Sequence, residues 1–227
     1  MSRFAKVMAG AFVLSALSGS SSLSAQRAGS MTIGIMGGAN LATLEQDPDP
    51  TDVEFGYKAG AVVGAFLGYQ LSDMFSIEPQ VLFSQKGADV DGTGANSALD
   101  GSIRINYIAV PVLLKAWFPM AYSSVKPFVF AGPEVAFKVG CTARGEILAV
   151  TGSRDCDETG TELDIKSTDV GLTGGGGIQF NTGTSVVRID ARYTWGLTDI
   201  NDAGDAREIK NRAFSATIGL GIPWPRY

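Results

Sequence analysis

The 227 residues predict an all-β chain, an eight-stranded antiparallel up-and-down transmembrane β-barrel behind a cleaved signal peptide. Three observations predict it. Residues 186–197 alternate two chemistries one residue at a time. The links between such segments are short and long by turns. The first 25 residues read as an export signal.

The alternation is clearest near the C-terminus. Val187, Ile189, Ala191, Tyr193, Trp195 and Leu197 fall on one parity, and Val186, Arg188, Asp190, Arg192, Thr194 and Gly196 on the other. A period of two is the side-chain period of a strand, so the two sets face opposite sides of a sheet. The charged side mixes both signs, and the apolar side ends in Tyr and Trp, residues that favour a membrane–water interface. A strand with lipid outside and a polar lumen inside reads this way.

The export signal spans residues 1–25, and 26–227 form the barrel domain. Arg3 and Lys6 make a positive start, and Val7 to Leu17 is an apolar run of signal-peptide length. A bilayer-spanning helix needs about twenty apolar residues, more than this run supplies. Small residues for cleavage follow, with Ser22 and Ser24 or the Leu23/Ala25 pair at the critical positions. Loss of the signal moves the formal charge from −5 to −7. That acidic balance, with no basic cluster, argues against nucleic acid as a partner.

Strands are expected at 31–41, 56–71, 74–88, 101–118, 126–139, 166–180, 185–197 and 211–222, each long enough for a tilted membrane strand. In the second, Tyr57, Val63, Leu67 and Tyr69 oppose Gly60, Gly64, Gly68 and Gln70. In the third, Phe75, Ile77, Pro79, Val81 and Phe83 oppose Ser76, Glu78, Gln80, Leu82, Ser84 and Lys86. The fourth fits less well: with Arg104 and Asn106 turned inward, strict alternation sends Lys115 into lipid. Either a bulge near Pro111 resets the phase, or Lys115 snorkels to the rim. In the last, Phe214, Ala216, Ile218, Leu220 and Ile222 oppose Ser215, Thr217, Gly219 and Gly221. Gln70–Ser72–Asp73, Pro119–Val125 and Asn181–Gly183 are short links, whereas 42–55, 89–100, 140–165 and 198–210 are long and polar. Outer-membrane barrels have short turns toward the periplasm and long loops toward the exterior.

Several segments resemble one family in order: FSIEPQVLFSQKGA (Phe75–Ala88), INYIAVPVLLK (Ile105–Lys115), KPFVFAGPEVAF (Lys126–Phe137), VGLTGGGGIQF (Val170–Phe180), RIDARYTWGLTDI (Arg188–Ile200) and NRAFSATIGLGI (Asn211–Ile222). They are similar to strands of the porin-like outer membrane protein β-barrel family. The resemblance implies a barrel of the OmpA/OmpX type in the outer membrane of a diderm bacterium, with both termini periplasmic. It implies outer-membrane lipid, lipopolysaccharide and the barrel-assembly machinery as partners, together with an extracellular ligand of the loops. The family shares no reaction. Its last strand usually ends on an aromatic residue; here Pro223, Pro225 and Arg226 interrupt the strand around Trp224, before Tyr227.

The chain has no histidine. That removes Ser–His–Asp and Cys–His catalysis and His-ligated zinc, and no enzyme activity, cofactor or metal is expected. Cys141 and Cys156 are the only cysteines and share the longest loop; in an oxidising compartment such a pair reads as a disulfide. Closing about fifteen residues would stabilise by about 3 kcal/mol in the chain-entropy model. The loop with Glu45, Asp47, Asp49, Asp52 and Glu54 lacks calcium-loop spacing and reads as a solvated exterior loop. Gly174–Gly177 has no Lys–Ser/Thr after it, and close strand packing explains it better than phosphate binding.

The remaining constellation is the inward set. Lys58, Glu78, Lys86, Arg104, Glu134, Asp169, Arg188, Asp190 and Arg192, joined by Lys138, are expected to pair across the lumen, because lone buried charges are costly. At eight strands the interior admits side chains and little else. The reading is a filled barrel displaying four exposed loops, with a structural, adhesive or interactive role. A small-solute porin or gated channel is the alternative, and a soluble periplasmic lipid-binding barrel a further one.

Overall fold

The structure, a computed structural model, describes residues 28–48, 53–92, 100–118, 124–145, 153–156, 165–201 and 207–224. The signal segment 1–25, Asp49, Asp52 and Tyr227 lie outside the described residues. Among the described residues the strands are β1 (Met31–Asp47), β2 (Val53–Gln70), β3 (Phe75–Gly92), β4 (Asp100–Trp117), β5 (Val125–Gly145), β6 (Ser153–Asp155), β7 (Thr168–Asn181), β8 (Val186–Gly196) and β9 (Glu208–Trp224). All but β6 close an antiparallel ring: β1 pairs with β2 and β9, and β4 pairs with β5. Around the lower part of the ring closure leaves no strand edge open, as a sheet in hydrocarbon requires. The three-residue β6 pairs with Thr142–Arg144 of β5 and stands outside the ring.

Met31 lies opposite Trp224, so both ends of the ring leave from one rim. The turns 71–74 and 182–185 sit at that same rim. In the first, Ser72 Oγ accepts from the amides of Met74 and Phe75 at 3.4 and 3.1 Å. In the second, the Thr182 amide donates to the Ser185 carbonyl at 2.9 Å, and Gly183 adopts φ 89°, a conformation only glycine takes without strain. Pro223 does not interrupt β9, which continues to Trp224 in register with Met31 and Thr32.

The strands outrun the expected spans at the opposite, loop rim. β1 reaches Asp47, β3 reaches Gly92, β5 reaches Gly145, and β9 begins at Glu208. The polarity of the wall inverts there. On β3, outward Phe75, Ile77, Val81 and Phe83 give way to Gln85, Asp89 and Asp91, while the inward face changes from Ser76, Glu78 and Gln80 to Ala88 and Val90. On β9, outward Glu208, Lys210 and Arg212 precede Phe214, Ile218 and Leu220. Below the inversion the wall is apolar outside and polar inside. Above it lies a turret, polar outside, with a core built from Leu44, Val90, Ile103, Ile105, Ala143 and the Cys141–Cys156 disulfide. A search for one polarity stops where the solvent changes, which is why the expected spans end early.

That inversion corrects the fourth strand. Register between β3 and β4 is constant from Phe75–Ala116 to Asp91–Asp100, so no bulge resets the phase at Pro111. Alternation is unbroken: Ile103, Ile105, Tyr107, Leu113, Lys115 and Trp117 face inward and are buried. Arg104 and Asn106 therefore face outward on the turret, and Lys115 points into the lumen rather than snorkelling to a rim. The bulges lie elsewhere. Val139 of β5 is an extra residue between the pairs Asn106–Gly140 and Tyr107–Lys138, and β2 carries one between Tyr57 and Val62. The bulge at Val139 lets Lys138 and Cys141, three residues apart, both turn inward.

β7 and β8 stop low, and the gap in the turret is filled from the loops. Ile165 bridges to Asn201, and Ile165 and Ile200 enter the turret core.

Two outcomes follow from the turret. Ile105→Ala, at a site 0% exposed, should cost about 2–5 kcal/mol of unfolding free energy in detergent micelles, whereas Arg104→Ala on the outer face should stay within about 0.5 kcal/mol. Equal losses would put Arg104 back in the interior. Non-reducing mass analysis should give the purified chain two hydrogens fewer than the reduced form; two alkylatable thiols in fresh membranes would contradict the bridge.

Candidate functional site

The lumen below the turret is where the fold concentrates charge. Among the described residues the buried charged side chains are Glu78, Lys86, Lys115, Glu134, Asp169, Arg188, Asp190 and Arg192, four acids and four bases. Each base has an acid within ion-pair distance.

Glu78 of β3 anchors the group nearer the terminal rim. Arg188 Nη1 donates to both of its oxygens at 2.8 Å, and Lys115 Nζ lies 2.8 Å from Oε2. Gln80 donates to Glu78 Oε1 at 2.7 Å, and its own Oε1 accepts from Arg192 Nη1 at 2.8 Å. Arg192 closes on Asp190 at 2.7 Å. The lattice thus crosses the lumen from β4 through β3 to β8. Aromatic rings line it: the Arg188 guanidinium stacks 3.5 Å from the Phe66 ring centre, and Lys115 Nζ is 4.6 Å from that of Phe128. Such contacts stabilise a desolvated cation by about 2 kcal/mol.

The second group sits nearer the turret. Lys86 Nζ reaches Glu134 at 3.1 Å and Asp169 at 3.8 Å. Thr173 Oγ1 donates to Glu134 Oε2 at 2.9 Å, and Asn211 Nδ2 donates to Asp169 Oδ2 at 2.9 Å. Above it, in the connection after β8, Asp199 accepts from the amides of Ile209 and Asn201 at 2.8 and 2.9 Å and from Lys166 at 3.2 Å. Burial works to raise the Asp199 carboxyl, but these partners outweigh it and hold it below the ordinary carboxylate range.

Glycines make the interior large enough for these groups. A Cβ on Gly175 or Gly177 would come within 2.8 Å of Phe130 or Phe128, and one on Gly219 within 2.8 Å of Arg188 Nε. Gly175–Gly177 therefore serves close packing, as the sequence of Gly174–Gly177 suggests, whereas a Cβ on Gly174 would meet nothing nearer than 3.6 Å. A cavity of about 20 Å³, lined by Thr32, Gln70, Ser76, Glu78, Trp117 and Gln179 among others, opens at the terminal rim. That is room for about one water molecule.

Of the expected inward set, the structure brings together Glu78, Lys86, Glu134, Asp169, Arg188, Asp190 and Arg192. Lys58 stands apart, paired with Asp89 at 2.6 Å. Lys138 donates to the Ile165 carbonyl at 2.7 Å. Arg104 is excluded, for the reason given above. Lys115 was the residue missed; unbroken alternation from Trp117 back to Ile103 was the signal that could have found it. In the acidic loop, Glu45 pairs with Arg212 at 2.6 Å. Among the described residues no cluster of three or more His, Cys, Asp or Glu side chains is placed to hold a metal ion.

A family model described as outer membrane protein beta-barrel domain matches residues 5–202. Among solved structures, the outer membrane protein OprG of Pseudomonas aeruginosa aligns with a TM-score of 0.54 at 16% identity, over 88% of this chain and 98% of its own. The Escherichia coli outer membrane protein W gives 0.44 at 14%, over 88% and 100%. The E. coli outer membrane protease OmpT gives 0.48 at 11%, over 90% and 99%. No curated protein matches the sequence. At these identities the likeness speaks for the fold alone.

Removing Glu78 should be the most damaging single change in the lumen, because it strands Lys115 and leaves Arg188 only the more distant Asp190, at 3.8 Å. Glu78→Ala should cost about 3–5 kcal/mol of unfolding free energy. Urea titration in micelles checks it, and a loss below that of Ile105→Ala would mean that Lys115 and Arg188 find other partners.

Proposed function

Since the chain belongs to the outer membrane protein beta-barrel domain family, we propose that it is an integral outer-membrane barrel with a closed lumen and a structural or interactive role. The rigid wall holds a turret and four loops outside the cell, both termini are periplasmic, and no reaction is catalysed. The observation that carries this reading is the paired lumen. Among the described residues four acids and four bases are buried against one another, and the cavity at the terminal rim measures about 20 Å³. Above them the turret core places apolar side chains across the mouth. A solute would have to part several desolvated ion pairs and cross that core, and burying unpaired charge is costly. Outer-membrane lipid surrounds the apolar belt, and the ligand of the loops is a macromolecule or surface met outside the cell.

Planar-bilayer recording of the purified protein should show no steady conductance; reproducible steps from the wild-type chain would favour a pore. Protease added to intact cells should cut within 140–165 or 198–210 and spare 70–74. Cleavage confined to the short turns would reverse the orientation, and release of the protein by a salt wash would favour a soluble periplasmic barrel.

A further inference from the structure

Among the described residues six buried side-chain atoms have no hydrogen-bond partner, and three of them belong to neighbours in the lumen: Arg188 Nε, Asp190 Oδ2 and Thr217 Oγ1. Arg188 and Asp190 share the inward face of β8, and Thr217 lies directly opposite Asp190 on β9. Each of the three residues is at most 3% exposed. A fourth atom, Asn40 Oδ1, turns toward Gly60 of β2 and stands apart from them. Desolvated donors and acceptors left unpaired are costly, so three in one place call for a common partner.

The other polar atoms of Arg188 and Asp190 are engaged. Arg188 directs Nη1 to Glu78 and Nη2 to Met36 Sδ, and Asp190 Oδ1 accepts from Arg192. Arg188 Nε and Asp190 Oδ2 lie 3.8 Å apart, beyond hydrogen-bond range. A third atom about 2.9 Å from each spans that gap. Gly38 of β1, opposite Thr217, brings no side chain into the space.

The chemistry of the three atoms selects the occupant. The guanidinium Nε only donates, the ionised carboxylate only accepts, and the hydroxyl does both. An anion would answer Arg188 and repel Asp190, and a metal cation would do the reverse. Four acids and four bases already balance among the described residues, so either ion would add an unanswered charge to a desolvated lumen. A water molecule accepts from Nε, donates to Oδ2 and bonds the hydroxyl; three partners are usual for a buried water.

We infer that one water molecule is bound between Arg188, Asp190 and Thr217 as a fixed part of the lumen. The inference rests on the closed-lumen reading above. The site lies deeper than the cavity at the terminal rim, and Phe66, Thr32 and Val186, crowded around Gly221, stand between the two. The water extends the charge lattice, which crosses from β4 through β3 to β8, onto β9. It also holds by a further donor the guanidinium that stacks on Phe66.

A crystal structure of the purified chain, at a resolution that places waters, reads the site directly. One density peak should lie within about 3.2 Å of all three atoms. Crystals soaked separately in bromide and in thallium(I) should give no anomalous signal there. T217V, equal in shape but without the hydroxyl, should lose the peak, and T217S should keep it. Absence of the peak from the wild type overturns the site, as does a direct bond from Thr217 to Asp190 in its place. An anomalous signal assigns an ion and overturns the water. A peak unchanged in T217V overturns the three-partner site; should T217V fail to fold, loss of the peak from T217S does so. Density running unbroken from rim to rim sinks the closed lumen, whereas a filled lumen without this peak sinks this site alone.

Discussion

The ring closed by β4 and β5 fixes the width of the interior, and the rest of the molecule adapts to that width. Pairing runs from Gly101–Gly145 to Trp117–Phe128. An eight-stranded ring of this kind leaves space for side chains and nothing larger. Every inward residue must therefore fit its neighbours across the lumen as well as beside it. Several of the largest groups are admitted where glycine faces them. Phe130 lies against Gly175, Phe128 against Gly177, and Arg188 against Gly219. The glycine content of the sequence is in part the complement of its inward aromatic and guanidinium groups.

Because the wall crosses two solvents, the rule for which face is polar changes along each strand. Within the belt, lipid demands apolar outward residues; in the turret, water demands the reverse. Parity was legible in the sequence along every regular stretch, since it needs only a period of two, but not across the bulges at Val139 and between Tyr57 and Val62. Which parity faces inward was legible only where the solvent was known. Strand β8 ends near the inversion, so Arg188, Asp190 and Arg192 were read correctly from the alternation alone. Strand β4 crosses it. With Arg104 and Lys115 on opposite parities, one rule for the whole strand had to misplace one of them. The disulfide was read from count and compartment, but not its burial within an apolar core, which depends on β5 continuing past Val139. Partners across the lumen, such as Glu78 with Arg188 or Lys86 with Glu134, lie far apart in the chain, and no local pattern could pair them.

The two bulges belong to the same change of solvent. Val139 occurs where β5 leaves the belt, and the extra residue of β2 lies between Tyr57 and Val62, at the corresponding level beside β3. A bulge bends a strand and raises its twist. Placed here, it reorients the wall where the interior changes from a charge lattice to an apolar core. It also re-aims side chains, since Lys138 and Cys141 could not both face inward on a regular strand.

The lattice contributes less to net stability than its number of contacts suggests. Desolvating eight charges offsets most of the attraction they recover, and apolar groups of the same shape can do as well. What charges add is discrimination between arrangements. A one-residue slip of β8 would turn its charged face to lipid. A two-residue slip would keep the faces and the apolar belt intact, yet it would carry Arg188 away from Glu78 and Phe66 and set it opposite Thr217 or Gly221 in place of Gly219. An interior of leucine and valine would tolerate that slip at little cost. Paired acids and bases at fixed levels do not, because each displaced charge is left buried beside nothing that answers it. Where the outer face is uniformly apolar, as in the belt, the lumen is the surface on which the correct register differs most from its nearest competitor.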